Sequence, residues 1–582
     1  MLAIVVFALA SGTPAPVRGA VYTWDGGGLT NLWSDPLNWS LDLVPSAADT
    51  AVFNGTSVKN ATIAISTSVQ GVAINAGYTG TITQGLGAAL TVGSAAFSQA
   101  AGTFVGGTAA ITVNGAFSLS GGSFTSTTAT LTVTGAVTKS GGTFAHNGGT
   151  VAFSTSNVTI DVGGSETFNN VSFLSGTKTI AAGNTLVVTG TLDLVSGSLN
   201  TGTLAAQGDI FARIGFTGGG TATLLINGTA AQTFDGDHTS ASGGLPNVVI
   251  AKPAGTLTLL DILRTGRNWT YLSGTLAPGT STVVFTGSAA GVITGDHALN
   301  NVELRGGTIT IASGTTLTAT GSVTLFSGSL NTGTLAAQGD IFARIGFTGG
   351  GTATLRINGT GAQTFDGDHT SATGALPNVV IDKPAGTLTL LDILRTGRNW
   401  TYATGSLAPG TSSVVFNGNL TIGGDHALNN VELRSGNVTV TSGDTLTVGG
   451  LLTLTDGNLE GGTVDALGNI SLAAAFDGET GTVRIAGTAD QTLTGAANTT
   501  SSDMANIVID KPSGTLFLVG TIRMLTSSWT WLQGAVDPGT STVYFDTTVT
   551  ISGTHSLYNV YLSGGGHTVT PGDTLTALGT LT

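Results

Sequence analysis

Along most of this chain apolar and hydroxyl-bearing residues alternate in runs of a few residues, and the runs stop at glycine. Ile111-Thr112-Val113-Asn114-Gly115 and Leu131-Thr132-Val133-Thr134-Gly135 show the form. In an extended chain successive side chains point to opposite faces, so each run predicts a short strand with one apolar face and one Thr/Ser face. The pattern returns about every twenty residues, as in Gly102-Thr103-Phe104, Gly122-Ser123-Phe124 and Gly142-Thr143-Phe144. A single coil of that length, strand, turn and strand, is too thin to enclose a core, whereas a stack of such coils is not. Helical periodicity is nowhere sustained, and Gly and β-branched residues oppose it. The predicted fold class is all-β: a β-solenoid of about 20 residues per coil, in which about 25 to 29 coils make an elongated rod roughly 120–140 Å long.

From Asn170 onward the coils are grouped into larger copies. Ser196-Gly197-Ser198-Leu199-Asn200-Thr201-Gly202-Thr203-Leu204 returns almost letter for letter at Ser327–Leu335. Trp269 returns as Trp400 and Trp529, and Pro278 as Pro409 and Pro538. Within each copy an Asn-Val-x-apolar marker recurs, at Asn170, Asn247, Asn301, Asn378, Asn430 and Asn559, with Ile507 replacing Val after Asn506. Each marker predicts a turn followed by a strand, because Asn tolerates left-handed backbone angles. The expected organisation is a leader-like segment 1–20, a Trp-rich N-terminal cap 21–55 and regular coils 56–169. Modules follow at 170–300, 301–429 and 430–558. Residues 559–582 open a fourth copy that stops inside the repeat, as expected of a piece of a longer chain or of a subunit whose open end docks on another.

Composition sharpens this. Gly numbers 90, only 9% of residues are charged and 40% are hydrophobic. The apolar and β-branched content separates this chain from glycine-rich disordered ones. With no cysteine, neither disulfides nor thiolate metal sites are available. The net charge of −14 is diffuse and no basic patch exists, which argues against nucleic acid as a partner. Beyond the N-terminus no apolar run is long enough to predict a membrane span. Met1–Ala10 is an apolar run followed by small residues, a leader-like pattern without a basic start.

Thr23-Trp24-Asp25-Gly26-Gly27, Trp33-Ser34, Asn38-Trp39-Ser40, Pro45 and Asp49-Thr50-Ala51-Val52-Phe53 form the one Trp-dense stretch. Large aromatics suit the cover that a solenoid's open end needs, and three tryptophans so close also suit a sugar-stacking platform. This opening resembles that of large secreted bacterial β-repeat surface proteins, autotransporter passengers among them. The resemblance covers about thirty residues and implies a right-handed parallel β-helix displayed outside the cell. The C-terminal membrane barrel of autotransporters is not seen.

Candidate chemistry is sparse and repeated. Asp235-Gly236-Asp237-His238 returns as Asp366-Gly367-Asp368-His369, with Gly295-Asp296-His297 and Gly424-Asp425-His426 as relatives, and decays to Gly553-Thr554-His555. Carboxylates beside imidazole suit acid–base work or a hard cation. A catalytic site is built once, however, whereas a turn is copied with its repeat, so a turn is expected here. Lys252-Pro253, Lys383-Pro384 and Lys511-Pro512 likewise predict turns. They and Arg264, Arg267, Arg395, Arg398 and Arg523 are expected as solvated loop charges. Trp269 with Tyr271, Trp400 with Tyr402 and Trp529 with Trp531 suit either an apolar interior or a glycan-binding stripe.

Together these point to an extracellular, non-catalytic structural solenoid, a secreted or cell-surface stalk or fibre that self-associates. Neither cofactor nor catalytic residue is expected. The alternative is an adhesin binding surface glycans through the repeated aromatic or Thr face. A polysaccharide-degrading β-helix enzyme ranks third.

Overall fold

In a computed structural model the structure describes residues 19–154, 157–288, 290–497 and 502–582. The expected leader therefore lies outside the described residues except for Gly19 and Ala20. Contacts gather into two compact units. The first comprises residues up to His238 with 242–257 and 273–275, and the second 239–241, 258–272 and 276–582. Both are all-β; the described helical structure is confined to two single turns, Pro36–Asn38 and Ser40–Asp42.

In the first unit the strands are short and parallel, each lying on its equivalent about one coil away. Ile111–Val113 sits between Leu90–Val92 and Leu131–Val133, in register. Phe117–Leu119 lies between Phe97–Gln99 and Val137–Lys139, and Ser123–Thr125 between Thr103–Val105 and Thr143–Ala145. A coil here therefore holds three strands rather than two. The sequence pattern undercounts them because three-residue strands show too little alternation to stand out. The Phe recurrence becomes an interior ladder, with Phe104 stacked on Phe124 at 5.0 Å and Phe124 on Phe144 at 5.8 Å.

The second unit uses the same coil with longer strands that bend round its corners. Asn378–Thr396 is continuous, yet its inward residues fall in three groups: Val379, Ile381 and Lys383, then Leu388 and Leu390, then Leu394 and Thr396. Each group pairs with a different neighbour, Asn378 lying opposite Thr354, Leu388 opposite Gln363 and Ile393 opposite Ser413. The corners fall at Pro384–Gly386 and Leu391–Asp392, where Gly386 and Asp392 take positive φ. Both units are thus β-solenoids with parallel coils about 20 residues apart.

The Asn markers open strands, and their amides reach to neighbouring coils. Asn378 Nδ2 donates to Ala353 O on one side (2.9 Å), and its Oδ1 accepts from Asn399 N on the other (3.2 Å). Asn506 repeats this with Gly481 O (3.1 Å) and Ser528 N (2.8 Å). One side chain so ties three layers of backbone together.

Candidate functional site

The Trp-rich opening packs inward. Trp24, Trp33 and Trp39 are 0–2% exposed and gather round Phe53, with Trp33 and Trp39 edge-on at 4.8 Å. Trp39 Nε1 donates to Trp33 O at 2.7 Å. The Lys59 ammonium closes the loop by donating to Gly26 O, Gly28 O and Asn38 Oδ1. Rings buried to this extent present no face to a sugar.

The module tryptophans are also interior. Trp269, Trp400 and Trp529 are each 0% exposed. Trp269 Nε1 donates to His297 Nε2 at 3.1 Å, and His297 Nδ1 donates to Gly295 O at 2.7 Å. Trp529, His555 and Gly553 repeat the chain at 2.9 Å for each bond. In the middle copy His426 Nδ1 donates to Gly424 O, while Trp400 Nε1 and His426 Nε2 are buried without a partner. A histidine with one nitrogen accepting from indole and the other donating to a carbonyl is neutral. Burial accordingly pushes the pKa of His297, His426 and His555 down. Tyr271, Tyr402 and Trp531 are half-buried and stack on these imidazoles at 5.3, 5.4 and 6.3 Å. Their polar tips do not all face solvent, since Tyr402 Oη donates to Gly405 O and Trp531 Nε1 to Gly534 O.

The Asp-Gly-Asp-His segment is not a turn. Gln363–Asp368 is a strand, and Gly367 occupies an inward position where a Cβ would meet Ile393 O at 2.2 Å. In the half-unit relatives the aspartate has a backbone task. Asp296 Oδ1 accepts from Thr316 N (2.8 Å) and Asp425 Oδ1 from Thr445 N (2.7 Å). In the last copy Thr554 Oγ1 accepts the same bond from Thr574 N at 3.1 Å. The Asp-to-Thr change in the sequence therefore keeps the bond, because either side chain offers an acceptor. Among the described residues no three His, Asp or Glu side chains converge as metal ligands would.

The lysines correct the expected solvated turn. Lys252, Lys383 and Lys511 are only 1–2% exposed. Their inward parity places each ammonium in a cradle from the preceding coil. Lys383 Nζ donates to Gly359 O (2.8 Å), Gly361 O (2.9 Å) and Gln363 Oε1 (2.5 Å). Lys511 meets Gly487 O, Ala489 O and Gln491 Oε1 at 2.7–2.8 Å, and Lys252 meets Gly228 O, Ala230 O and Gln232 Oε1 at 2.5–2.9 Å. The glutamine passes the connection on, Gln363 Nε2 donating to Ala337 O and Gly339 O one coil further. Burial lowers the pKa of all three lysines, and at Lys511 the nearby Asp490 opposes this. Gly405 packs against Lys383, where a Cβ would lie 2.8 Å from the lysine Cβ. The signal for this fastening was present in the sequence, as Lys383 shares the parity of Val379 and Ile381 and recurs with its Gln.

The arginines divide. Arg398 is exposed, while Arg395 is half-buried and donates to Gly374 O at 2.5 Å. Arg523 lies between Asp503 (3.0 Å) and Asp546 (2.5 Å). No family model, curated protein or solved structure matches this chain. No helix among the described residues is long and apolar enough to cross a membrane.

Proposed function

We propose that this chain is an extracellular, non-catalytic structural solenoid, a stalk or spacer of a surface protein of the bacterial β-repeat kind. The observation that carries this reading is the threefold recurrence of the same buried Lys–Gln cradle on equivalent atoms of three modules. A machine for chemistry concentrates unusual groups at one place. Here the buried cations and imidazoles instead repeat with the module and bond coil to coil, which serves length and cohesion. Secretion is supported by the leader-like opening of the sequence.

A register-preserving deletion tests the proposal. Removing 401–529 joins Trp400 to Thr530, which are neighbours in equivalent coils. A spacer then folds, keeps parallel-β circular dichroism and remains accessible to protease on intact cells. Loss of a discrete activity on deletion, or protection from external protease, refutes it. A second reading, glycan adhesion, is carried by the half-exposed rings of Tyr402 and Trp531. Saturable oligosaccharide binding removed by Tyr402→Ala and Trp531→Ala would establish it in place of a pure spacer.

A further inference from the structure

Two equivalent hollows on the second unit carry opposite charge. In the module ending near 429, Thr348–Gly350, Ala375, Arg395, Arg398 and Asn417 surround a hollow of about 230 Å³. One module later Asp477, Glu479 and Asp503 line the corresponding hollow of about 300 Å³, while Arg523 is bonded to Asp503 and to Asp546, which replaces Asn417. The equivalence is structural. Ala375 N bonds Phe347 O as Asp503 N bonds Phe476 O, and Leu376 N bonds Arg395 O as Met504 N bonds Arg523 O. The first hollow is lined by two guanidiniums, the second by three carboxylates.

Each patch is only partly countered at home, by Glu432 near Arg395 and by Arg523 between Asp503 and Asp546. Arg398 is exposed, and Arg395 Nε is buried without a partner. Burial and the nearby Arg434 weigh against the Arg395 charge, with Glu432, itself bonded to Arg434, opposing. In the acidic patch Asp477 and Glu479 are exposed. Burial pushes Asp503 up to about 6 despite Arg523, and Asp477, Asp546 and Glu479 add to the rise. The patches do not neutralise one another within a chain. A single corner column joins them, stepping from Thr348 through Ala375, Thr396, Asn417, Gly436 and Gly457 to Asp477. Six coil steps separate equivalent points of the two hollows, and the four from Thr396 to Asp477, at about 4.8 Å each, place the guanidiniums roughly 19 Å from Asp477, beyond the Debye length of about 8 Å in physiological salt.

We propose that this face binds a second copy of the chain in an antiparallel, two-fold pair. Arg395 and Arg398 of each copy then lie against Asp477 and Glu479 of the other. A two-fold axis midway between these two patches satisfies both at once, because each copy supplies both signs at the same spacing. A foreign partner would have to reproduce that spacing and sign order. The pairing goes beyond the spacer reading and is read from mass alone, so either can fail without the other.

Sedimentation velocity on the full chain tests it. The wild type sediments as a dimer at about 50 mM salt and as a monomer at about 0.5 M, since exposed charge pairs are screened. Arg398→Glu and the double variant Asp477→Lys/Glu479→Lys each weaken dimerisation at least about tenfold in low salt. Their circular dichroism is unchanged, because the altered side chains face solvent. Mixing the two variants restores the dimer, as reversed charge meets reversed charge. A monomer in low salt at every concentration, a dimer indifferent to both variants, failure of the mixture to restore it, or assemblies larger than two each overturn the proposal.

Discussion

The buried lysine cradle gives the sharpest mutational contrast. Gln363→Ala leaves the Lys383 ammonium with Gly359 O and Gly361 O alone. It also strips acceptors or donors from Gly359 N, Ala337 O and Gly339 O. Removing a partner from a buried charge costs about 3–5 kcal/mol. Lys383→Met removes the charge together with its desolvation cost and leaves three acceptors short of a donor, each deficit about 1 kcal/mol. The methionine keeps most of the side-chain volume, so little cavity is added. The net loss is about 1–3 kcal/mol, smaller than for the glutamine variant although the whole cation is gone. The double variant Gln363→Leu/Lys383→Met costs less than the sum of the two single changes, because the orphaned charge is absent. Long repeat arrays need not unfold in one step, so the assay is hydrogen exchange resolved by peptide rather than a single midpoint. Coils 337–383 should exchange about 1,000-fold faster in Gln363→Ala and about tenfold faster in Lys383→Met, at about 1.4 kcal/mol per decade. Equal effects of the two single changes, or strict additivity in the double variant, would refute the reasoning.

Other outcomes follow from the same contacts. Asp425→Thr should be nearly neutral, since Thr554 accepts the equivalent bond, whereas Asp425→Ala loses about 1 kcal/mol, read by peptide-resolved exchange across 425–445. Gly405→Ala should destabilise by about 1–3 kcal/mol, because φ is +125° and the new methyl meets Lys383 Cβ; peptide-resolved exchange across 383–405 reads it. Burial holds His369 at about 4, below the 6.5 of an unfolded histidine, so the unfolded chain takes up the proton first. Stability is therefore full above about pH 6.5 and falls by up to about 3 kcal/mol toward pH 4 from this residue alone; a urea titration across that range should show it, and His369→Gln should flatten the slope. Iodide should quench only a minor part of the tryptophan emission, and Trp531→Phe should abolish that part, since Trp531 alone among the seven is not buried.

The stacked-coil fold was legible because identical coils amplify a weak signal. Phe104, Phe124 and Phe144 recur in step and do stack. The number of strands per coil was not legible, because Phe117–Leu119 and its equivalents Phe97–Gln99 and Val137–Lys139 are too short to show a period. Local composition misled where parity would have served. Lys383-Pro384 looks like a turn by residue type, and the corner does begin at Pro384, but Lys383 is the last inward position before it. Gly367 looks like a turn between two aspartates, yet it is an inward strand position that only a residue without Cβ fits. The opposite charges of Arg398 and Glu479 were visible as letters. Their equivalence emerged only once backbone bonds aligned the two corners.

Amine labelling read by mass spectrometry tests most directly whether the repeated cations are interior fasteners. Brief acetylation of the native chain at neutral pH should leave Lys252, Lys383 and Lys511 unmodified, and all three should react once the chain is denatured. Rapid native labelling of these three lysines would place them on the surface and contradict the account.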